Sequence, residues 1–141
     1  MNVEQICKKY LIESYTILDD GSIDVLGNVR LSSLKLTELP LKFNKVSGHF
    51  NCSNNKLTSL EGSPKSVGGI FTCDGNKLTS LEGSPNRIDF DFDCGYNNLT
   101  SLEGSPESVG GDFYCEYNNL TDLKGSPKEI GGRFGCVNTN I

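Results

Sequence analysis

Acidic and aromatic side chains are concentrated in one stretch of this 141-residue chain. Residues 86–123 contain eight acidic side chains and a single basic one, Arg87, a net charge of −7, whereas the whole chain carries −5. Three of the five tyrosines fall in the same stretch. Carboxylates attract basic partners, and tyrosines are frequent anchors at protein interfaces. This stretch is therefore the candidate binding region.

The candidate site lies within residues 89–117, at positions that are predicted to point away from the core. We expect it to bind a basic protein surface through eight residues: Phe90, Asp91, Asp93, Tyr96, Asp112, Tyr114, Glu116 and Tyr117. Phe90 belongs to this set because it stands where neighbouring repeats have glycine, outside the core positions. The alternative is that these acids only form a solvated face that keeps the protein soluble.

Catalytic and metal chemistry find little support in the residues. His49 is the only histidine, so a set of nucleophile, base and orienting group is hard to assemble. Asp91 and Asp93 are paired carboxylates, but a repeat wall offers no pocket in which a pKa could shift. Together with Asp89 and Glu116 they could supply oxygen ligands to calcium, although they lack the loop of an EF-hand. We predict no enzymatic activity, no cofactor and no metal.

Five of the six cysteines share one position of a repeat: Cys52, Cys73, Cys94, Cys115 and Cys136. On successive parallel strands they form a row about 4.8 Å apart, and such a row cannot converge on one tetrahedral zinc ion. Parallel side chains are also poorly placed for disulfides. We expect them to be small apolar core residues, as free thiols that fit a reducing cytosol.

A 21-residue repeat must position these side chains. One repeat reads F-x-C-x-x-N-x-L-T-x-L-x-G-S-P-x-x-V-G-G-x, and the segment Gly-Ser-Pro recurs at 62–64, 83–85, 104–106 and 125–127. Phe71 and Cys73 are two residues apart, so they face the same side of a strand, and Leu78 and Leu81 return to the same core. Each coil buries its apolar face only against its neighbours, which predicts a solenoid.

The repeat resembles the leucine-rich repeat, L-x-x-L-x-L-x-x-N-x-L-x-x-L, over roughly residues 29–141. Phe and Cys take the two strand leucines, and the first leucine of that pattern falls on residues such as Gly68, which departs from it. The resemblance implies an α/β or mainly β solenoid, a right-handed coil with parallel strands on its concave face. The motif N-x-L-T-S-L-E-G-S-P resembles that of small phage-encoded short-repeat proteins.

The ends of the chain differ from the repeat. Residues 1–26 are predicted to form an N-terminal cap, a short helix over 2–14 followed by a hairpin around Asp19–Ser22. The solenoid then covers 27–141, with a degenerate first coil at 27–49, full coils from 50 and a truncated last coil at 134–141. That last coil either frays or meets a partner such as a second copy of the chain.

These observations predict a non-enzymatic protein-binding module. The resemblance to phage proteins implies inhibition of a host or anti-phage defence protein, such as a CRISPR, restriction or abortive-infection component, in the cytoplasm of the host bacterium. Two alternatives stay open: a nucleic-acid mimic that occupies the phosphate groove of an enzyme, and a self-assembling structural protein. The acidic charge argues against direct binding of nucleic acid or an anionic membrane, and no apolar run approaches 18 residues.

Overall fold

The computed structural model describes residues 1–137 and shows a mainly β solenoid of about five turns with one short helix. The helix α1 spans Val3–Lys9, and thirteen short strands follow it. In chain order they are β1 Tyr15–Ile17, β2 Ile23–Val25, β3 Val29–Arg30, β4 Phe43–Val46, β5 Phe50–Asn51, β6 Ser66–Val67, β7 Phe71–Thr72, β8 Arg87–Ile88, β9 Phe92–Asp93, β10 Ser108–Val109, β11 Phe113–Tyr114, β12 Glu129–Ile130 and β13 Phe134–Gly135.

Two sheets run along the solenoid. Sheet A has the order β1-β2-β4-β6-β8-β10-β12, and sheet B has the order β3-β5-β7-β9-β11-β13. All neighbours are parallel except the antiparallel pair β1–β2, and repeat equivalents such as Phe71 and Phe92 lie directly opposite each other. The repeat pattern predicts one strand in each turn. The structure shows two, because the segment around Val67 also pairs between turns.

The core between the two sheets consists of the repeat's apolar positions. In the third full repeat Phe92, Cys94, Leu99 and Leu102 are fully buried, and Val109 is 1% exposed. The phenylalanine rings form a continuous stack, with centroids 5.2 to 5.4 Å apart from Phe50 through Phe113. The predicted inward direction of the Phe, Cys and Leu positions is thus confirmed for the turns up to Leu120, whereas Leu123 at the end is 38% exposed.

A buried asparagine joins each turn to the one before it. The Nδ2 of Asn97 donates to the carbonyl of Cys94 in its own turn and to that of Cys73 in the preceding turn, both at 3.1 Å. Its Oδ1 accepts from the backbone N–H of Leu78 at 3.0 Å. The same bonds recur at Asn76 and Asn118. These amides replace water for backbone groups that would otherwise be buried without partners.

The N-terminal segment has a helix and an antiparallel hairpin, but α1 ends at Lys9, well before the predicted end at residue 14. A capping box between Asn2 and Gln5 begins α1, and its residue Cys7 is buried. Strand β2 pairs with β1 on one side and with β4 on the other, so the hairpin shares a strand with sheet A. The boundary at residue 26 falls between β2 and β3 and stays a prediction.

The last described turn is less buried than the turns before it. Ile130, Phe134 and Cys136 are only half-buried, and Val137 is exposed. The rest of the predicted truncated coil, residues 138–141 with Ile141, lies outside the described residues. Within residues 1–137 no helix has the length and apolar character needed to cross a membrane.

Candidate functional site

The predicted site residues lie on two successive turns along the outer side of sheet B. Asp93 in β9 and Tyr114 in β11 are register partners. Because Phe92 and Cys94 point into the core, their neighbours Asp91 and Asp93 point outward. The structure therefore brings the acids and tyrosines together on one face.

Two of the acids also bond to the backbone of the following turn. Asp91 Oδ1 accepts from the N–H of Asp112 at 2.8 Å, and Asp112 Oδ1 accepts from the N–H of Arg133 at 2.7 Å. Asn28 and His49 occupy the same repeat position and accept in the same way. An acceptor at this position therefore need not carry a charge, and Ile70, at the same position, shows that an acceptor is not obligatory. This role of the two acids was not predicted from the sequence.

Asp112 is further tied to Tyr114, whose hydroxyl donates to Asp112 Oδ2 at 2.7 Å. The bonds from the Arg133 N–H and the Tyr114 hydroxyl lower the pKa of Asp112, since they favour its charged form. The same bond to Asp112 raises the pKa of Tyr114. Asp112 is thus a fixed negative charge at neutral pH.

Asp93 is the most enclosed acid of the face. Burial raises its pKa, although a bond from the Gly95 N–H at 2.9 Å opposes this, and the nearby charges of Asp74 and Glu116 raise it further. Burial also raises the pKa of Asp74. Asp74 is a member of this acidic group that the site prediction omitted. Its spacing of 42 residues from Glu116, two repeats, was a signal that could have revealed it.

Tyr96 and Tyr117 form an exposed aromatic pair beside these acids. Their ring centroids are 4.4 Å apart with an interplanar angle of 15°, and the side chains are 59% and 41% exposed. Partial burial, the Tyr117 phenol and the charges of Glu116 and Asp93 all raise the pKa of Tyr96. The Tyr96 phenol is therefore neutral at neutral pH and lies in the negative field of these acids.

Phe90 lies at the other end of β9, in the corner that joins sheet A to sheet B. It is 58% exposed, as expected from its place outside the core positions. Because Phe90 precedes β9 and Tyr96 follows it, the predicted residues form a band across the strand rather than a single compact cluster.

Metal-ligating and catalytic groups are dispersed. Within residues 1–137 no three His, Cys, Asp or Glu side chains are grouped so that they could hold a metal ion. Asp89 pairs with Arg87 at 2.8 Å, and His49 Nδ1 accepts from the Ile70 N–H at 2.9 Å. Two surface grooves lie along sheet A, and a third lies beside α1.

Comparison with known proteins finds no match to this chain. No protein-family model matches the chain, and neither a curated protein nor a solved structure matches it. Function is therefore inferred from the geometry of the acidic and aromatic face.

Proposed function

We propose that this chain is a non-enzymatic protein-binding module, and that the outer side of sheet B across residues 89–117 binds a basic surface of another protein. The observation that carries the proposal is the exposed Tyr96–Tyr117 pair with Asp93 and Glu116 beside it. Aromatic side chains supply contact area at the centre of an interface, while carboxylates around them steer a basic partner.

The finer proposals come from the repeat pattern. The coil is of the leucine-rich-repeat kind, with sheet B on its concave side and residues 1–26 as a helix-hairpin cap. We propose further that it is a phage protein acting in the cytoplasm of the host bacterium, where it inhibits a defence component. These proposals rest on the resemblance of the repeat motif to leucine-rich repeats and to phage-encoded short-repeat proteins.

The experiment separates the charge of the acids from their backbone bonds. The triple variant Asp91→Asn, Asp93→Asn, Asp112→Asn removes three charges and keeps an acceptor oxygen at each place. Asn28 already accepts at the position equivalent to Asp91 and Asp112, and Asn51 accepts from the Ser53 N–H at the position equivalent to Asp93. The fold should therefore survive these substitutions.

A matched control removes three charges elsewhere, through Glu61→Gln, Glu82→Gln and Glu129→Gln, all at exposed positions. Each tagged protein is used to capture partners from a bacterial lysate, which are identified by mass spectrometry. We expect a basic protein that the wild type and the control retain and the triple Asn variant loses, with binding that weakens as salt rises. Equal capture by all three proteins, or no salt dependence, would contradict the proposal.

The nucleic-acid mimic is a separate outcome of the same experiment. If the captured protein is a nucleic-acid enzyme, DNA or RNA should displace it from this chain. Displacement would assign the face to mimicry of a phosphate backbone, while persistence of the complex in excess nucleic acid would favour an ordinary protein interface.

A further inference from the structure

We propose that the stacked Tyr96–Tyr117 pair is the platform on which the partner protein places an arginine side chain. This inference rests on the proposed function and specifies the partner group that the face receives. The occupant is a guanidinium group held over the tyrosine rings and paired with the carboxylates of Asp93 and Glu116.

The tyrosine pair is exposed to solvent. Most other aromatic rings of the repeat are in the core, where Phe71, Phe92 and Phe113 are fully buried. Tyr96 and Tyr117 instead keep 59% and 41% of their surface in contact with solvent while stacking on each other. The stack holds both rings in one orientation, so a partner meets a pre-organised aromatic surface.

The backbone at both tyrosines has a conformation that does not require an aromatic residue. Tyr96 and Tyr117 have φ angles of 53° and 57°, in the left-handed region. Asn54 and Gly75 occupy the equivalent position in earlier turns with φ angles of 56° and 69°. Asn and Gly adopt this conformation most readily, so the repeat itself does not require an aromatic residue there. The aromatic rings are additions confined to the acidic turns.

The carboxylates around the tyrosine pair are complementary in charge to a cationic side chain. The Tyr96 phenol lies in the field of Glu116 and Asp93, and Asp74 adds to the charge around Asp93. A neutral partner would desolvate these carboxylates without pairing them, which is unfavourable. A guanidinium group stacks its plane on an aromatic ring and bonds to carboxylates through its edge, whereas an ammonium group is a compact, strongly hydrated charge. The face therefore fits arginine better than lysine.

The test compares a nona-arginine peptide with a nona-lysine peptide, each titrated into the full chain by calorimetry at constant salt. We expect the arginine peptide to bind about fivefold more tightly to the wild type, as a cation–π contact implies. In the double variant Tyr96→Asn, Tyr117→Asn this preference should disappear, while weak binding of both peptides through the acids persists. The variant should fold, because Asn54 already holds the same backbone conformation.

Leu11→Asn is the matched control, since it makes the same kind of substitution at an exposed side chain with a φ angle of 59°, outside the proposed binding face. It should keep the preference for arginine. Equal binding of the two peptides by the wild type, no binding of either, or a preference that survives in the double Tyr variant would overturn the inference. If the preference is absent but the lysate partner still depends on the three aspartates, the proposed function stands without the arginine platform.

Discussion

One buried asparagine side chain satisfies backbone groups of two turns at once. Asn97 donates to carbonyls of Cys73, Cys94 and Gly95 and accepts from the N–H of Leu78. A buried polar group without a partner costs roughly 1–3 kcal/mol, which exceeds the net gain from a typical hydrogen bond. The asparagine therefore matters more for the groups it satisfies than for its own packing.

Replacing this side chain tests that role. Asn97→Ala should lower the free energy of unfolding by about 3 kcal/mol, because the Leu78 N–H and at least one carbonyl lose their partners. The neighbouring variant Asn98→Ala, at an exposed position, should change it by less than about 0.5 kcal/mol. Urea denaturation of both variants provides the measurement. Equal effects at the two positions would show that the bonds of Asn97 are not stabilising.

At the scale of the element, sheet B carries its cysteines as a row of buried thiols just after each strand. The Sγ of Cys94 donates to the Tyr114 carbonyl at 3.3 Å, and that of Cys115 donates to the Gly135 carbonyl at 3.3 Å. Burial raises the pKa of Cys52 and of Cys115 to about 12, and it raises the pKa of Cys73 and Cys94 well above the usual 9.0. These four thiols are therefore protonated and unreactive in the folded protein.

The raised pKa values of these thiols make the free energy of unfolding depend on pH in the alkaline range. The folded state holds its thiol protons to higher pH than the unfolded chain, so the stabilisation is complete below pH 9 and declines as pH rises toward about 12. Each thiol contributes a slope of up to about −1.4 kcal/mol per pH unit. We expect the free energy of unfolding, measured in urea at pH 8, 9 and 10, to decrease as pH rises. The slope should correspond to the release of several protons on unfolding.

The variant Cys73→Ala is the control for that slope. It should reduce the pH dependence by about one proton, whatever it does to absolute stability. A thiol reagent should also modify the folded protein slowly and the protein in denaturant quickly. Rapid labelling of the buried row in the folded state, or no change of slope in the variant, would contradict the burial of these thiols.

At the scale of the whole molecule, stability is shared between neighbouring turns. Phe92 is fully buried between two rings, Phe71 at 5.4 Å and Phe113 at 5.2 Å. Phe134 is half-buried and contacts the Phe113 ring at 5.2 Å with a tilt of 31°. In a solenoid each turn contacts only the turns beside it, so an identical residue contributes according to its place in the stack.

The same substitution at Phe92 and at Phe134 measures how much stability each turn gains from its neighbours. Phe92→Ala should destabilise by about 3–5 kcal/mol, as expected for a large buried side chain, and Phe134→Ala by less than half of that. Thermal and urea unfolding of the full chain give both values. Equal losses would mean that the last described turn is as well packed as the central ones.

Much of the candidate site could be predicted from the sequence because outward positions follow from alternation with Phe and Cys. The structural role of Asp91 and Asp112 could not be predicted in this way. Their acceptor oxygens serve the N–H groups of a turn 21 residues later, and that contact depends on how two turns are aligned. Asp74 is a different case, because its place two repeats before Glu116 could be read from the sequence, whereas its effect on Asp93 depends on how the turns pack.

The sequence by itself determined the period and the inward direction of the Phe, Cys and Leu positions. Each of these depends only on spacing within one repeat, where side-chain alternation and burial act locally. The tertiary structure alone decided that the Val position forms a second sheet, and that Tyr96 stacks on Tyr117. Both depend on the register and backbone conformation of successive turns, which arise only when the turns pack together.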